Sequence, residues 1–183
     1  KEGNPPPPIS NYGPIGNTLV SGIAFGRIWP TGNPLNLLGS PENEELRRFF
    51  LDCLSIRRAA RGWIEFGYLQ RPVSFAAAIP DVPIKDPKGR DSSIKAVLDS
   101  AWINADEALA FVFVNVSEQE QAFTWQADLS RYEIDDAEVY DVKQIMPGEK
   151  SAAVTRLETT LLERSETMAP HSAVVYEVTV GAY

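Results

Sequence analysis

The chain has 183 residues, 44% apolar and 23% charged, long enough for one ordinary core plus an extension and hardly for two cores. Seventeen Lys and Arg against twenty-five Asp and Glu leave a formal net charge of -8, which argues against a nucleic-acid partner because phosphate backbones need a basic face. A single cysteine excludes an internal disulfide and a multi-cysteine zinc site, and no run approaches the ~20 apolar residues of a membrane span.

Lys1 to Pro8 lacks the charged-then-apolar order of a signal peptide and reads as a cut edge or a processed end. Pro5 to Pro8 is expected as extended, polyproline-like linker; no adjacent basic residues favour an aromatic-groove ligand. Gly13-Pro14, Gly16-Asn17 and Gly32-Asn33-Pro34 read as breaks. One regular stretch is therefore expected in the first forty residues. It runs from Thr18 to Trp29, where Leu19, Val20, Ile23, Ala24, Phe25 and Ile28 suggest a buried strand, followed by a loop carrying Gly26, Arg27 and Trp29.

Residues 40 to 62 read as one amphipathic helix. Ser40-Pro41 suits a helix start, Glu42, Glu44 and Glu45 suit the positive end of the dipole, and Gly62 suits the stop. Leu46, Phe49, Phe50, Cys53, Leu54 and Arg57 recur at three- and four-residue steps. Burying Leu46, Phe49, Phe50 and Leu54 is worth on the order of 6 to 12 kcal/mol, so the helix requires a partner surface. Arg57, Arg58 and Arg61 read as salt-bridged or solvated cations rather than an anion site. Cys53 reads as a buried free thiol, because the sole histidine, His171, lies far along the chain in a Pro-flanked turn. Trp63, Phe66 and Tyr68 read as junction packing rather than a sugar-stacking platform.

After Pro72 the pattern turns to strands: Val73 to Ile79, Ile94 to Ile103, Ala108 to Val116, Ala122 to Ala127, Ala137 to Asp141, Ala152 to Leu157, Thr160 to Glu163 and Ala173 to Val180. Short strands separated by turn residues, with no intervening helices, predict a mainly β chain with an antiparallel two-sheet β-sandwich. Leu109 to Val116 is apolar on both faces, as a central strand is, whereas Gln121 to Asp128 and Ala173 to Val180 alternate and predict one wet face each. Asp135-Asp136, Asp141 and Glu163 are the carboxylates available for glycosidic cleavage, but their spacing fixes no shared cleft and they read as exposed acids. Asn115 reads as a turn former. No phosphate loop, nucleophile elbow, EF-hand loop or metal-spaced histidine pair occurs, so no catalytic residue, metal or cofactor is expected.

Four segments in this order resemble the C-terminal part of bacterial glycoside-hydrolase-like proteins, in which a (β/α)8 barrel is followed by an antiparallel β-sandwich. They are residues 24 to 29, Ala-Phe-Gly-Arg-Ile-Trp; residues 55 to 62 at the helix end; residues 109 to 116; and residues 168 to 177. The resemblance implies a strand-loop-helix remnant of a barrel over residues 1–69 and a sandwich over 70–183. It implies catalytic acids upstream of Lys1, with Arg27 and Trp29 the residues here that still face a sugar, since such active sites lie at the C-terminal ends of barrel strands. The missing N-terminal barrel of the same polypeptide would be the partner.

Three functions follow as expectations. One is a non-catalytic accessory domain bracing a hydrolase barrel. A second is a free-standing carbohydrate-binding module with Trp102, Trp125 or Tyr132 as stacking rings, which requires exposed coplanar rings. The third is an adhesion or assembly domain in which residues 1–40 latch onto another chain, with an exposed apolar patch around Phe25 and Phe49 covered by a symmetry mate or partner; a homo-oligomer would form through residues 1–62.

Overall fold

The computed structural model describes residues 9–22, 41–85, 90–132, 134, 139–148 and 155–181. The chain is mainly β with antiparallel sheets, as the strand pattern predicts. Its strands are β1 Tyr68–Gln70, β2 Ser74–Phe75, β3 Asp81–Lys85, β4 Asp91–Lys95, β5 Val97–Ile103, β6 Leu109–Asn115, β7 Gln121–Asp128, β8 Tyr140–Ile145, β9 Thr155–Leu157, β10 Leu161–Met168 and β11 Ser172–Val180. A six-stranded sheet has the order β1-β5-β6-β11-β8-β9, a smaller sheet has β10-β7-β2, and β3-β4 is a separate hairpin. No described helix is long and apolar enough to cross a membrane.

The centre of the six-stranded sheet is buried on both faces. Every residue of β6 is buried, because odd-numbered Leu109, Phe111 and Phe113 face the smaller sheet while even-numbered Ala110, Val112 and Val114 face a helix layer. β11 departs from the single wet face expected of it: Ala173 to Tyr176 are all buried. It pairs with both β6 and β8 in the middle of the sheet, so both of its faces are covered. Between the sheets, Phe111, Phe113, Trp125 and Tyr176 form a tilted-ring cluster, with Phe113 and Trp125 centroids 4.9 Å apart.

The first helix, α1 Ile9–Val20, overturns the reading of this region as broken chain leading into a strand at Thr18. Tyr12, Ile15, Gly16, Leu19 and Val20 are buried at helical spacing, and that face docks on the sheet. Gly16 acts here as a contact point: a Cβ would lie 2.5 Å from Val116 Cγ1 and 3.1 Å from Val114 Cγ1. Pro14 faces solvent and costs the helix one backbone hydrogen bond; the Thr18 hydroxyl caps the Pro14 carbonyl at 2.8 Å. Residues 23 to 29 lie outside the described residues.

The expected single helix over 40–62 is divided. After a 3-10 turn at Pro41–Asn43 comes α2 Glu44–Ala59, and then, across Ala60, α3 Arg61–Ile64. Ser40 lies outside the described residues, and Asn43 occupies the cap position without a side-chain bond. The buried stripe is Leu46, Phe49, Cys53 and Ile56, with Phe50 and Leu54 half-buried. Gly62 does not end the helix. It lies within α3 with open space around its Cβ position, whereas Gly67 is where the chain turns into β1. A Cβ at Gly67 would sit 2.5 Å from both the Trp63 and Ile103 carbonyl oxygens, so only glycine permits this approach.

Other strand limits shift for local reasons. The expected strand over 94–103 breaks at Ala96, whose N–H donates to Pro80 O at 2.8 Å while its carbonyl accepts from Val116 N at 2.9 Å. Of residues 73–79 only Ser74–Phe75 is strand, and β10 continues to Met168 through Glu163, Arg164 and Glu166, charges that suit an edge strand.

Candidate functional site

Arg27 and Trp29, together with Asp135 and Asp136, lie outside the described residues. The other carboxylates share no cleft. Asp141 on β8 pairs with Arg156 at 3.6 Å, and Glu163 on the smaller sheet accepts a bond from Gln126. The proposed stacking rings are core residues: Trp125 is fully buried, Trp102 donates to Ser100 Oγ at 2.9 Å, and Tyr132 packs edge-on against Phe111. Trp63 is also buried, its indole N–H donating to Ala108 O at 2.8 Å. Phe66, Tyr68 and Leu69 are exposed, so the junction is packed by Trp63 alone of the three aromatics. Phe49 is buried within the chain and offers no patch to a second copy.

What the fold does build is a clasp between the helix layer and the sandwich. Tyr12, Ile15 and Leu19 of α1 and Leu46, Phe49, Cys53 and Ile56 of α2 bury against Ala110, Val112, Val114, Ala173 and Val175 of the sheet. Burial pushes the Cys53 thiol well above its ordinary value, so it stays a protonated packing group. Arg57 joins the layer's ends, donating to Gly22 O at 3.3 Å and to Glu65 at 3.2 Å, while Arg61 meets the same carboxylate at 2.8 Å. These arginines are salt-bridged, as expected of them.

His171 is the polar centre of the clasp. It sits in the turn between β10 and β11 with a left-handed φ of 48°, and its side chain is 1% exposed. Its ring stacks on Tyr12 at 3.5 Å and 4°. Nδ1 lies 3.0 Å from Glu45 Oε1 of α2, and Nε2 lies 3.6 Å from Glu118 Oε1, an ion-pair distance too long for a hydrogen bond. One imidazole thus touches α1, α2 and the loop after β6. Burial, then the Glu45 and Glu118 carboxylates, push the Tyr12 phenol up to about 12, with Arg48 opposing. It remains a neutral hydroxyl.

Asn115 secures the turn on which His171 rides. Its Oδ1 accepts from Ser117 N–H at 3.0 Å and from the Ser117 hydroxyl at 2.7 Å, the turn role expected of it. Its Nδ2 also donates to Gln119, Met168 and Ala169 carbonyls at 2.8 to 3.1 Å, which ties the end of β6 to the His171 turn. The role of His171 had one sequence signal, a lone histidine directly ahead of an apolar strand. Its left-handed backbone and distant carboxylates have none.

Among the described residues, two surface grooves can be compared. The larger, of about 430 Å³, is lined by Trp63, Asn104, Asp106, Glu107, Glu177 and Thr179 among others. The smaller, of about 240 Å³, lies where the segment between β1 and β2 meets β7 and the 3-10 turn Leu129–Arg131. Among the described residues no three His, Cys, Asp or Glu side chains group to hold a metal ion.

No protein-family model and no curated protein matches the chain. Its neighbours among solved structures are glycoside hydrolases, at low identity and partial coverage. A candidate α-N-acetylgalactosaminidase from Bacillus halodurans is 11% identical over 95% of this chain and 31% of that one, with a TM-score of 0.44. A family 44 xyloglucanase from Paenibacillus polymyxa is 23% identical over 50% and 18%, with a TM-score of 0.35. A bifunctional glucanase-xylanase from a metagenome library is 13% identical over 57% and 19%, with a TM-score of 0.33. The match therefore covers 18% to 31% of the length of these structures.

Proposed function

We propose that this chain is a non-catalytic accessory region of a glycoside-hydrolase-type protein, in which a β-sandwich braces the end of a catalytic barrel carried by the same polypeptide. The observation that carries the reading is the two-faced six-stranded sheet. One face closes on the chain's own smaller sheet; the other packs Ala110, Val112, Val114, Ala173 and Val175 under α1 and α2, and His171 meets both helices. A sheet that offers a second buried face to a helical segment is built to hold something in place. Asp141 and Glu163 lie on different sheets, and Trp102, Trp125 and Tyr132 are buried.

The border between braced and bracing parts then falls near residue 69, where Gly67 leads into β1. Two measurements test the reading. Intact mass of the native product is expected to exceed the 20.2 kDa of this chain several-fold, and a native product of 20.2 kDa contradicts it. Turnover of glucan and xylan, the polymer types in the name of one structural neighbour, is expected from the full-length product and absent from the 183-residue chain. Turnover by the shorter chain overturns the assignment.

A further inference from the structure

The smaller groove carries two arginines and one carboxylate in its lining. Arg71, Ser74, Gln126, Asp128, Arg131 and Tyr132 line it, with Pro72 and the 48%-exposed Leu161 as apolar edges. Arg71 makes no hydrogen bond or ion pair with any described residue, and Pro72 presets its backbone in the extended region. Arg131 is held in place: its Nε donates to Asp128 Oδ2 at 3.1 Å, while Asp128 Oδ1 accepts from Ser130 N–H at 3.2 Å and from the Ser130 hydroxyl at 2.6 Å. The groove's one lining carboxylate is therefore already engaged.

The unused hydrogen-bonding capacity is mostly donors. Arg71 offers five guanidinium N–H groups, Arg131 keeps its terminal nitrogens, and Ser74 has a hydroxyl. The Gln126 amide donates one of its two N–H groups to Glu163, and its carbonyl oxygen is an acceptor for a ligand hydroxyl. Tyr132 forms a buried floor. A donor-rich pocket calls for an acceptor-rich ligand, and a planar guanidinium matches a carboxylate in bidentate geometry. The volume admits one ring-sized group, and Leu161 and Pro72 suit the C–H face of such a ring.

We infer that this groove binds the carboxylate of a uronic acid unit, with Arg71 as the primary contact, Arg131 as the second cation, and Ser74 and Gln126 taking ring hydroxyls. The larger groove, lined by Asp106, Glu107 and Glu177, repels the same ligand and serves as an internal control. The inference goes beyond the bracing role, which depends on the opposite face of the larger sheet, so either can fail without the other.

The test is an amide-resonance titration of the 183-residue chain with sodium glucuronate, glucose and sodium acetate. Glucuronate is expected to give saturable millimolar binding confined to residues 71–74 and 126–132, weakening with added salt. Arg71→Ala should weaken it about tenfold, and Arg71→Lys should recover part of that, since charge returns without the planar fork. Arg71 is exposed, so the variant is expected to fold; unchanged strand resonances verify this. Equal binding of glucose removes the carboxylate claim, equal binding of acetate removes the ring, and no shifts with glucuronate or unchanged affinity in Arg71→Ala overturns the site.

Discussion

The two faces of the six-stranded sheet use different means to the same end. The face toward the smaller sheet is closed by large rings, with Phe111, Phe113, Trp125 and Tyr176 filling the space between layers about 10 Å apart. The face toward the helices is lined with Ala110, Val112, Val114 and Ala173, and the helix comes down to it where Gly16 removes a side chain. Between the sheets rings come from both layers; on the helix side, small residues of β6 and β11 meet Tyr12 and Phe49 carried by the helices. The second face alone adds a buried polar clasp, so its docking has a specific orientation as well as an apolar drive.

The largest expected effect breaks the ring face. Trp125→Ala should cost about 3–5 kcal/mol and unfold the whole chain in one transition, because both faces depend on the same sheet. Phe49→Ala should cost a similar amount in the helix layer but leave the sandwich folded, seen as lost helical signal in circular dichroism with near-native strand content. Gly16→Val drives a side chain into Val116 and should cost about 1–3 kcal/mol, measured by urea unfolding. His171→Ala should cost about 1–3 kcal/mol, since it leaves Tyr12 and Glu45 without their partner. His171→Asn should cost less, because asparagine tolerates the left-handed backbone. Equal losses in the two variants would remove the strain component.

The smallest effect has the opposite sign. Asp99 faces the ring core; burial raises its carboxyl above the ordinary 3.8, only partly offset by backbone N–H bonds from Val73 and Asp99 itself, and Oδ2 has no partner. A raised folded value means the wild type loses stability as pH rises from below 3.8 through that folded value, and no further above it. Asp99→Asn should therefore match wild type at low pH and exceed it in Tm at neutral pH. A Tm difference independent of pH contradicts the buried charge.

The sandwich was legible in the sequence because β-branched and aromatic runs between turn residues carry their own signal, and Leu109 to Val116 announced its two covered faces directly. α1 was hidden because Gly13, Pro14 and Gly16 act locally as breakers, while the packing that makes a helix here is supplied by Val114 and Val116, a hundred residues away. Gly62 and Gly67 show the same limit, since only the approach of Ile103 distinguishes the glycine that turns the chain from the one that merely sits in a helix. β10 was shortened in the sequence reading because its charges suit an edge, and edge position is a property of the assembled sheet. The clasp was least legible: Tyr12, Glu45, Glu118 and His171 span nearly the whole chain, and no local spacing joins them.

Native-state hydrogen exchange tests the central claim, that one sheet holds a separable helix layer on its second face. Amides of α1 and α2 are predicted to exchange through a partial opening at lower free energy than those of β5, β6 and β11, and His171→Ala should lower that opening energy alone. Exchange of helices and strands at one common free energy, shifted together by His171→Ala, would contradict the brace.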